Sequence, residues 1–267
     1  MITLEQLQAG IVLPIDKPRQ WTSFQAVNKI KAVVRNTYGL KKFKIGHAGT
    51  LDPLATGLLL VCIGKATKSI PQLQDGDKVY TGTLVLGATT PCYDLEQAVD
   101  QYYPYEHITQ TLVETTTKQF TGTIMQVPPM FSAVKVDGQR AYEYARRDDP
   151  TATIQPKPVT IHSFEITAFR EGNPNHDSLT NTAITHSLTR KLYDNPQGIV
   201  PSHLSQADFR ICCGKGTYIR SLARDLGMAL GSGAFLSALR RERIGDYSIE
   251  KALQLDQVEA YFKENEH

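Results

Sequence analysis

The residues best able to do chemistry lie in one loop, Gly46-His47-Ala48-Gly49-Thr50-Leu51-Asp52-Pro53-Leu54-Ala55-Thr56-Gly57. It offers one carboxylate, Asp52, and one imidazole, His47, among three glycines. Glycine lets a backbone turn tightly and lets a ligand come close. The apolar run Leu58-Leu59-Leu60-Val61-Cys62-Ile63 follows at once and reads as a buried strand anchoring one end of the loop. By residue type alone Asp52 is a nucleophile, a general base or a turn residue, and Asp-Pro is a common turn dipeptide. A second stretch, Gly214-Lys215-Gly216-Thr217, looks superficially like a phosphate loop. It lacks the Walker spacing, because no glycine stands five residues before Gly214 and Lys215 is followed by glycine. Lys215, Tyr218 and Arg220 are instead suited to facing a polyanion from a glycine turn at a helix start, where free N–H groups favour phosphate.

The elements that must hold these groups follow from pattern. Residues 11–16 suggest a short strand, and Thr22 with Gln25 has capping-box spacing for a helix start. Val27, Ile30 and Val34 continue at helical spacing to a stop at Gly39. A short helix is expected over 66–73, a strand over 77–87 with Tyr80 and Leu84 on one face, and a loop over 89–99. A moderately polar helix is expected over 105–120 and a strand over 121–127. Extended structure over 130–136 ends at the Asp137-Gly138 turn, and 141–147 looks helical. Residues 159–170 alternate as a half-buried strand does, and 207–213 form another. Helices are expected over 218–230 and 235–241. Strands with irregularly inserted helices argue for an α+β fold on a mixed, mainly antiparallel sheet flanked by helices. Residues 171–205, rich in Asn, Thr, Ser, His and Pro, read as a polar loop insertion.

Composition narrows the class. The 267 residues are enough for one large core or two modest ones, with 41% hydrophobic and 21% charged residues. No apolar run reaches membrane-spanning length, and the start has neither a basic nor an apolar signal region. Cys62, Cys92, Cys212 and Cys213 lack metal-site spacing and read as reduced thiols of a cytoplasmic protein. Net charge is only +2, so a nucleic-acid partner must be met by local patches. Candidates are Lys41-Lys42-Phe43-Lys44, Arg146-Arg147 and Arg240-Arg241-Glu242-Arg243.

Three separated stretches resemble one family. The glycine loop with Leu58-Leu59 is similar to the catalytic motif of TruB-type tRNA pseudouridine-55 synthases. Gln126-Val127-Pro128-Pro129-Met130-Phe131-Ser132-Ala133-Val134-Lys135, with Gly138, Tyr142, Ala145 and Arg146, resembles their second signature. Residues 214–227, Gly-Lys-Gly-Thr-Tyr-Ile-Arg-Ser-Leu-Ala-Arg-Asp-Leu-Gly, resemble the third. The order is right, and the resemblance spans roughly residues 11–256 apart from the insertion.

The resemblance implies a pseudouridine synthase-like fold and isomerisation of uridine-55 in the T loop of tRNA, with base flipping and no cofactor or metal. Asp52 then takes the catalytic position. Tyr80 packs on the target base, Arg220 pairs with the aspartate, and Leu239 and Tyr218 wall the uracil pocket. His47 fills the space the flipped base leaves, and Lys17, Lys135 and Lys215 meet RNA phosphates. The implied partner is the tRNA T-arm stem-loop, bound by a monomer needing no protein partner and no membrane. The chain is read as a single catalytic domain over 1–267, a bacterial short form without a C-terminal PUA-type RNA-binding domain. It departs from the pattern at Gln20, where relatives carry glycine after Lys-Pro-x, and at Thr90-Pro91-Cys92, where many carry Thr-Asp-Thr, though Asp94 remains. The rival readings are a guide-dependent RNA pseudouridine synthase of the dyskerin kind and a non-catalytic tRNA binder or folding helper.

Overall fold

The computed structural model describes residues 2–147, 149, 151, 153–172 and 200–263. Capping and periodicity set its early elements. Thr3 and Gln6 form a capping box at α1 (Leu4–Ala9), which leads into β1 (Ile11–Lys17). Thr22 and Gln25 form a second box, opening α2 (Ser23–Tyr38), and Gly39 closes that helix in the left-handed conformation. Ala26, Val27, Ile30, Val33 and Val34 make the buried stripe of α2.

The chain continues through β2 (Ile45–Ala48), β3 (Thr56–Ile63), α3 (Ile70–Asp75) and β4 (Lys78–Leu86). A short hairpin of β5 (Ala88–Thr89) and β6 (Gln101–Tyr102) precedes α4 (Gln110–Thr117) and β7 (Gly122–Gln126). The Asp137-Gly138 turn joins β8 (Lys135–Val136) to β9 (Gln139–Arg140), with φ +49° and +84° at its two residues. Next come α5 (Ala141–Ala145), β10 (Lys157–Arg170), β11 (Gln206–Cys213) and α6 (Ile219–Ala229). The end comprises β12 (Ala234–Ile244), β13 (Tyr247–Ser248), β14 (Leu253–Gln254) and α7 (Val258–Lys263).

Two compact units divide the chain, Met1–Thr81 with Leu239–His267, and Gly82–Ala238. In the first, hydrogen-bonded strands run in the order β14-β1-β3-β12, with β2 on β3 and β13 on β12. β1 pairs antiparallel with β3, whereas β12 joins β3 in parallel. One face of this sheet packs Ile15, Leu59, Val61 and Ile63 against Val27, Ile30 and Val34 of α2 and Phe262 of α7. In the second unit the order is β4-β11-β10-β7, and β10 is antiparallel to both its neighbours. Among the described residues the strand pairing is therefore mixed and mainly antiparallel, as expected.

Three expectations need correction. Residues 235–241 are not helical; they belong to β12, whose inner part is held by ladder bonds to β3. Their apolar and basic alternation over so short a run fits either period. The helix expected over 105–120 is confined to Gln110–Thr117 with one further 3-10 turn, since Thr109 supplies the cap late. Residues 130–133 bend instead of extending, leaving only the two-residue hairpin strands. Most of the expected insertion at 171–205 lies outside the described residues; at its flanks, Gly172 N–H donates to Ser205 Oγ at 3.0 Å.

Candidate active site

In the first unit the glycine loop is clamped on both sides of Asp52. Ser23 Oγ accepts from Leu51 N–H at 2.9 Å and lies 3.2 Å from the Leu51 carbonyl, to which it donates. Gln20 N–H donates to the Pro53 carbonyl at 2.8 Å. Ala55 N–H donates to the Asp52 carbonyl at 3.1 Å and closes the turn. The half-buried Asp52 therefore stands on a backbone fixed on one side to the first turn of α2 and on the other to the turn before it.

Two buried cations finish the clamp. Lys17, expected at RNA phosphate, has no exposed surface. Its Nζ donates to the carbonyls of Trp21 at 2.6 Å, Pro18 at 2.9 Å and Pro53 at 3.3 Å, so its ammonium fastens the turn after β1 to the glycine loop. Arg241, read within a basic surface patch, is only 2% exposed. Its guanidinium donates to Leu58 at 2.8 Å, Gly49 at 2.9 Å and Thr50 at 3.5 Å, all backbone carbonyls. Arg240 beside it is also occupied, in a bidentate pair with Asp16 at 2.8 and 3.0 Å. The register aligns Lys17, Gly57 and Arg241 across β1, β3 and β12. Gly57, at φ +101°, is required there, because a Cβ would stand 2.4 Å from the Arg241 carbonyl oxygen.

Gln20 takes φ +67°, the left-handed conformation that glycine would adopt at this position of the motif. The chain keeps the turn and bears a strain of about 1 kcal/mol. Gln20→Gly is expected to be neutral or stabilising by up to about 1 kcal/mol in chemical denaturation, and Gln20→Val to destabilise by more than about 1 kcal/mol.

The remaining candidates of this unit lie on strands next to the loop. His47 on β2 opposes Val61 of β3. Burial, reinforced by the nearby Arg241 charge and opposed by a backbone hydrogen bond with Gly49, lowers its pKa and favours the neutral ring, and its buried Nδ1 has no hydrogen-bond partner among the described residues. Leu239 is half-buried on β12, its carbonyl 3.5 Å from Thr56 Oγ1. Tyr80 is 9% exposed on β4, the neighbour of β12, and Thr81 Oγ1 donates to Glu242 Oε1 at 2.7 Å to tie these strands.

In the second unit the other two motif stretches are stitched together. The Gln126 side chain accepts from Tyr218 N–H at 2.8 Å and donates to the Tyr218 carbonyl at 3.1 Å. Ser221 Oγ donates to the Val127 carbonyl at 2.8 Å. Arg220, 5% exposed in the first turn of α6, donates to the carbonyls of Phe131 at 2.9 Å and Cys92 at 3.1 Å. Its Nε lies 3.7 Å from Asp94 Oδ2, and Cys92 Sγ donates to Asp94 Oδ1 at 3.0 Å. Burial first, and Asp94 second, push the Cys92 thiol up to about 12, so it stays a donor. Tyr218 is half-buried at the α6 cap, Lys135 is exposed in the β8–β9 hairpin, and Lys215 is exposed in the turn where Gly216 takes φ +80°.

Sequence reasoning missed Ser23, Gln126 and Arg241 as loop and motif fasteners. Each is a polar residue whose partner lies far along the chain, and only its place within or beside a motif marked it. Among the described residues, no group of three or more His, Cys, Asp or Glu is arranged to hold a metal ion, and no helix is long and apolar enough to cross a membrane.

Comparison with known proteins bears on what this arrangement is for. The model of the TruB family pseudouridylate synthase N-terminal domain matches residues 35–219, and that of the tRNA pseudouridylate synthase B C-terminal domain matches 220–267. The tRNA pseudouridine synthase B of Flavobacterium johnsoniae is 49% identical over 255 residues, covering 95% of this chain and 96% of that protein. The Phocaeicola vulgatus protein of the same name is 43% identical, covering 96% and 95%. Among solved structures, a chain of a Cbf5-Nop10-Gar1 complex superposes with TM-score 0.61 at 26% identity, over 97% of this chain and 56% of that one. A chain of an archaeal box H/ACA sRNP Nop10-Cbf5 complex, at 22% identity and TM-score 0.57, shares the fold; this chain covers 54% of it. The chain thus spans little more than half of those solved chains but nearly the whole of its bacterial relatives. Because the matched regions include the clamped Asp52 loop and both stitched motif stretches, the chain belongs to the TruB family of pseudouridylate synthases.

Proposed function

We propose that this protein is a tRNA pseudouridine synthase that converts uridine-55 of the T loop to pseudouridine. The reaction breaks the C1′–N1 glycosidic bond, turns the uracil and forms a C1′–C5 bond. The C5 hydrogen leaves as a proton, and N1 gains one. Nothing is oxidised or hydrolysed, so the step needs a carboxylate and a shaped pocket and no redox or nucleotide cofactor. Asp52 is the carboxylate, acting covalently or at C1′. The observation that carries this reading is the fastening of both neighbours of Asp52, Leu51 to Ser23 in the first turn of α2 and Pro53 to Gln20 and Lys17 just before that helix. Such fixing is what a reactive group must have to meet its substrate in register.

In this reading Tyr80 packs on the uracil and Leu239 walls its pocket, while Arg220 and Tyr218 keep the active-site roles that the family resemblance implies. Turning the uridine out of its stack costs a few kcal/mol. His47, whose buried environment favours the neutral ring, fills the vacated space. Lys135 and Lys215, both exposed, meet RNA phosphate. The whole chain works as one catalytic domain, as a monomer in the cytoplasm, without guide RNA or protein partner.

The direct test is incubation of the purified protein with an isolated T-arm stem-loop, followed by mapping of pseudouridine. Formation at the single T-loop uridine, without guide RNA, is expected. Unmodified RNA, together with activity gained on adding a guide RNA, would favour the guide-dependent reading instead.

A further inference from the structure

We propose that Trp21 and Phe24 form an aromatic platform on which the RNA substrate stacks an unpaired base near the reacting uridine. The inference rests on the reading of the protein as an RNA-modifying enzyme and adds a binding subsite to it. Phe24 leaves 70% of its surface exposed and Trp21 36%. Phe24 stands in the first turn of α2 but off its buried stripe, which starts with Ser23, Ala26 and Val27. Its apolar surface therefore serves no core.

What distinguishes these aromatics from stray surface apolars is how their backbone is held. Between them stands Ser23, whose hydroxyl holds Leu51. The Trp21 carbonyl takes the shortest of the three bonds from the buried Lys17 ammonium, at 2.6 Å. The same ammonium reaches the Pro53 carbonyl, and Gln20 N–H donates to that carbonyl too. The aromatic pair and the Asp52 loop are thus parts of one hydrogen-bonded piece. A base seated on either ring is thus carried by the same backbone that carries Asp52. Arg19, exposed beside them, adds a positive charge suited to the phosphate that accompanies such a base. An exposed ring face offers stacking to any base, and an unpaired loop base has a ring face to offer.

The chain contains a single tryptophan, so Trp21 reports on its own surroundings. On titration with a T-arm stem-loop, Trp21 emission is expected to be quenched saturably. Phe24→Ala and Trp21→Phe/Phe24→Ala should weaken RNA binding by about tenfold or more, and Phe24→Tyr should restore it. The dependence of affinity on salt should keep its wild-type slope, since no phosphate contact is removed. The rate with saturating RNA should stay within about twofold of wild type, because the rings act on binding. Unquenched Trp21 emission at saturating RNA, or wild-type affinity in Phe24→Ala, would overturn the platform. Those results with a wild-type protein that still makes pseudouridine refute the platform alone; a wild-type protein that makes none refutes the activity on which it rests.

Discussion

Asp52→Asn is expected to abolish pseudouridine formation, by at least about a thousandfold, while leaving affinity for tRNA within about threefold of wild type. The asparagine has the same shape, so the substitution removes charge and nucleophilicity and little else. The clamp is untouched, because Leu51, Asp52 and Pro53 enter it through backbone groups that any residue at position 52 retains. Fold and RNA surface therefore persist, and only the chemistry is lost. His47→Ala provides the contrast. If the ring fills the flipped base's space as proposed, its loss is expected to cost about tenfold in binding or turnover, far short of total loss. Single-turnover assays with filter binding on both variants measure this division of roles. Equal and complete loss in the two would contradict it.

Arg241→Met has the largest expected effect on stability, a loss of about 2–4 kcal/mol in chemical denaturation. Replacing a buried ion pair with apolar residues is often harmless, because both charges go together. Here the acceptors are the backbone carbonyls of Gly49, Thr50 and Leu58, which stay behind and lose their donor. Methionine matches the stem but gives no N–H. Arg241→Lys recovers only part of the loss, since an ammonium cannot reproduce the planar fork that spans β3 and the loop. Because the Arg241 charge also helps to lower the His47 pKa, that pKa should rise in the methionine variant, by NMR titration. A denaturation midpoint unchanged from wild type would contradict the structural role.

Much of the scaffold was legible because its signals are local. Thr22 and Gln25 mark a helix start by spacing alone, Gly39 marks its end, and Asp137-Gly138 marks a hairpin. The glycine loop and the apolar run after it predicted a clamped loop on a buried strand, and β3 is nearly wholly buried. What escaped depends on distant partners. Lys17 is satisfied by carbonyls at Pro18, Trp21 and Pro53, and Arg241 by carbonyls at Gly49, Thr50 and Leu58, and nothing beside either cation advertises burial. The helix read into 235–241 failed for a similar reason: Phe235 and Leu236 suit either period, and pairing with β3 decides the matter. Gln20 shows the reverse case, where the chain keeps a motif's backbone shape without its glycine.

The most direct measurement of the central claim is pseudouridine mapping in tRNA from cells lacking this protein, with the wild-type and Asp52→Asn genes restored in turn. The account predicts that pseudouridine at position 55 is absent from the deletion strain, returns with the wild-type gene and stays absent with the Asp52→Asn gene. Pseudouridine retained at that position in the deletion strain, or restored by Asp52→Asn, would contradict it.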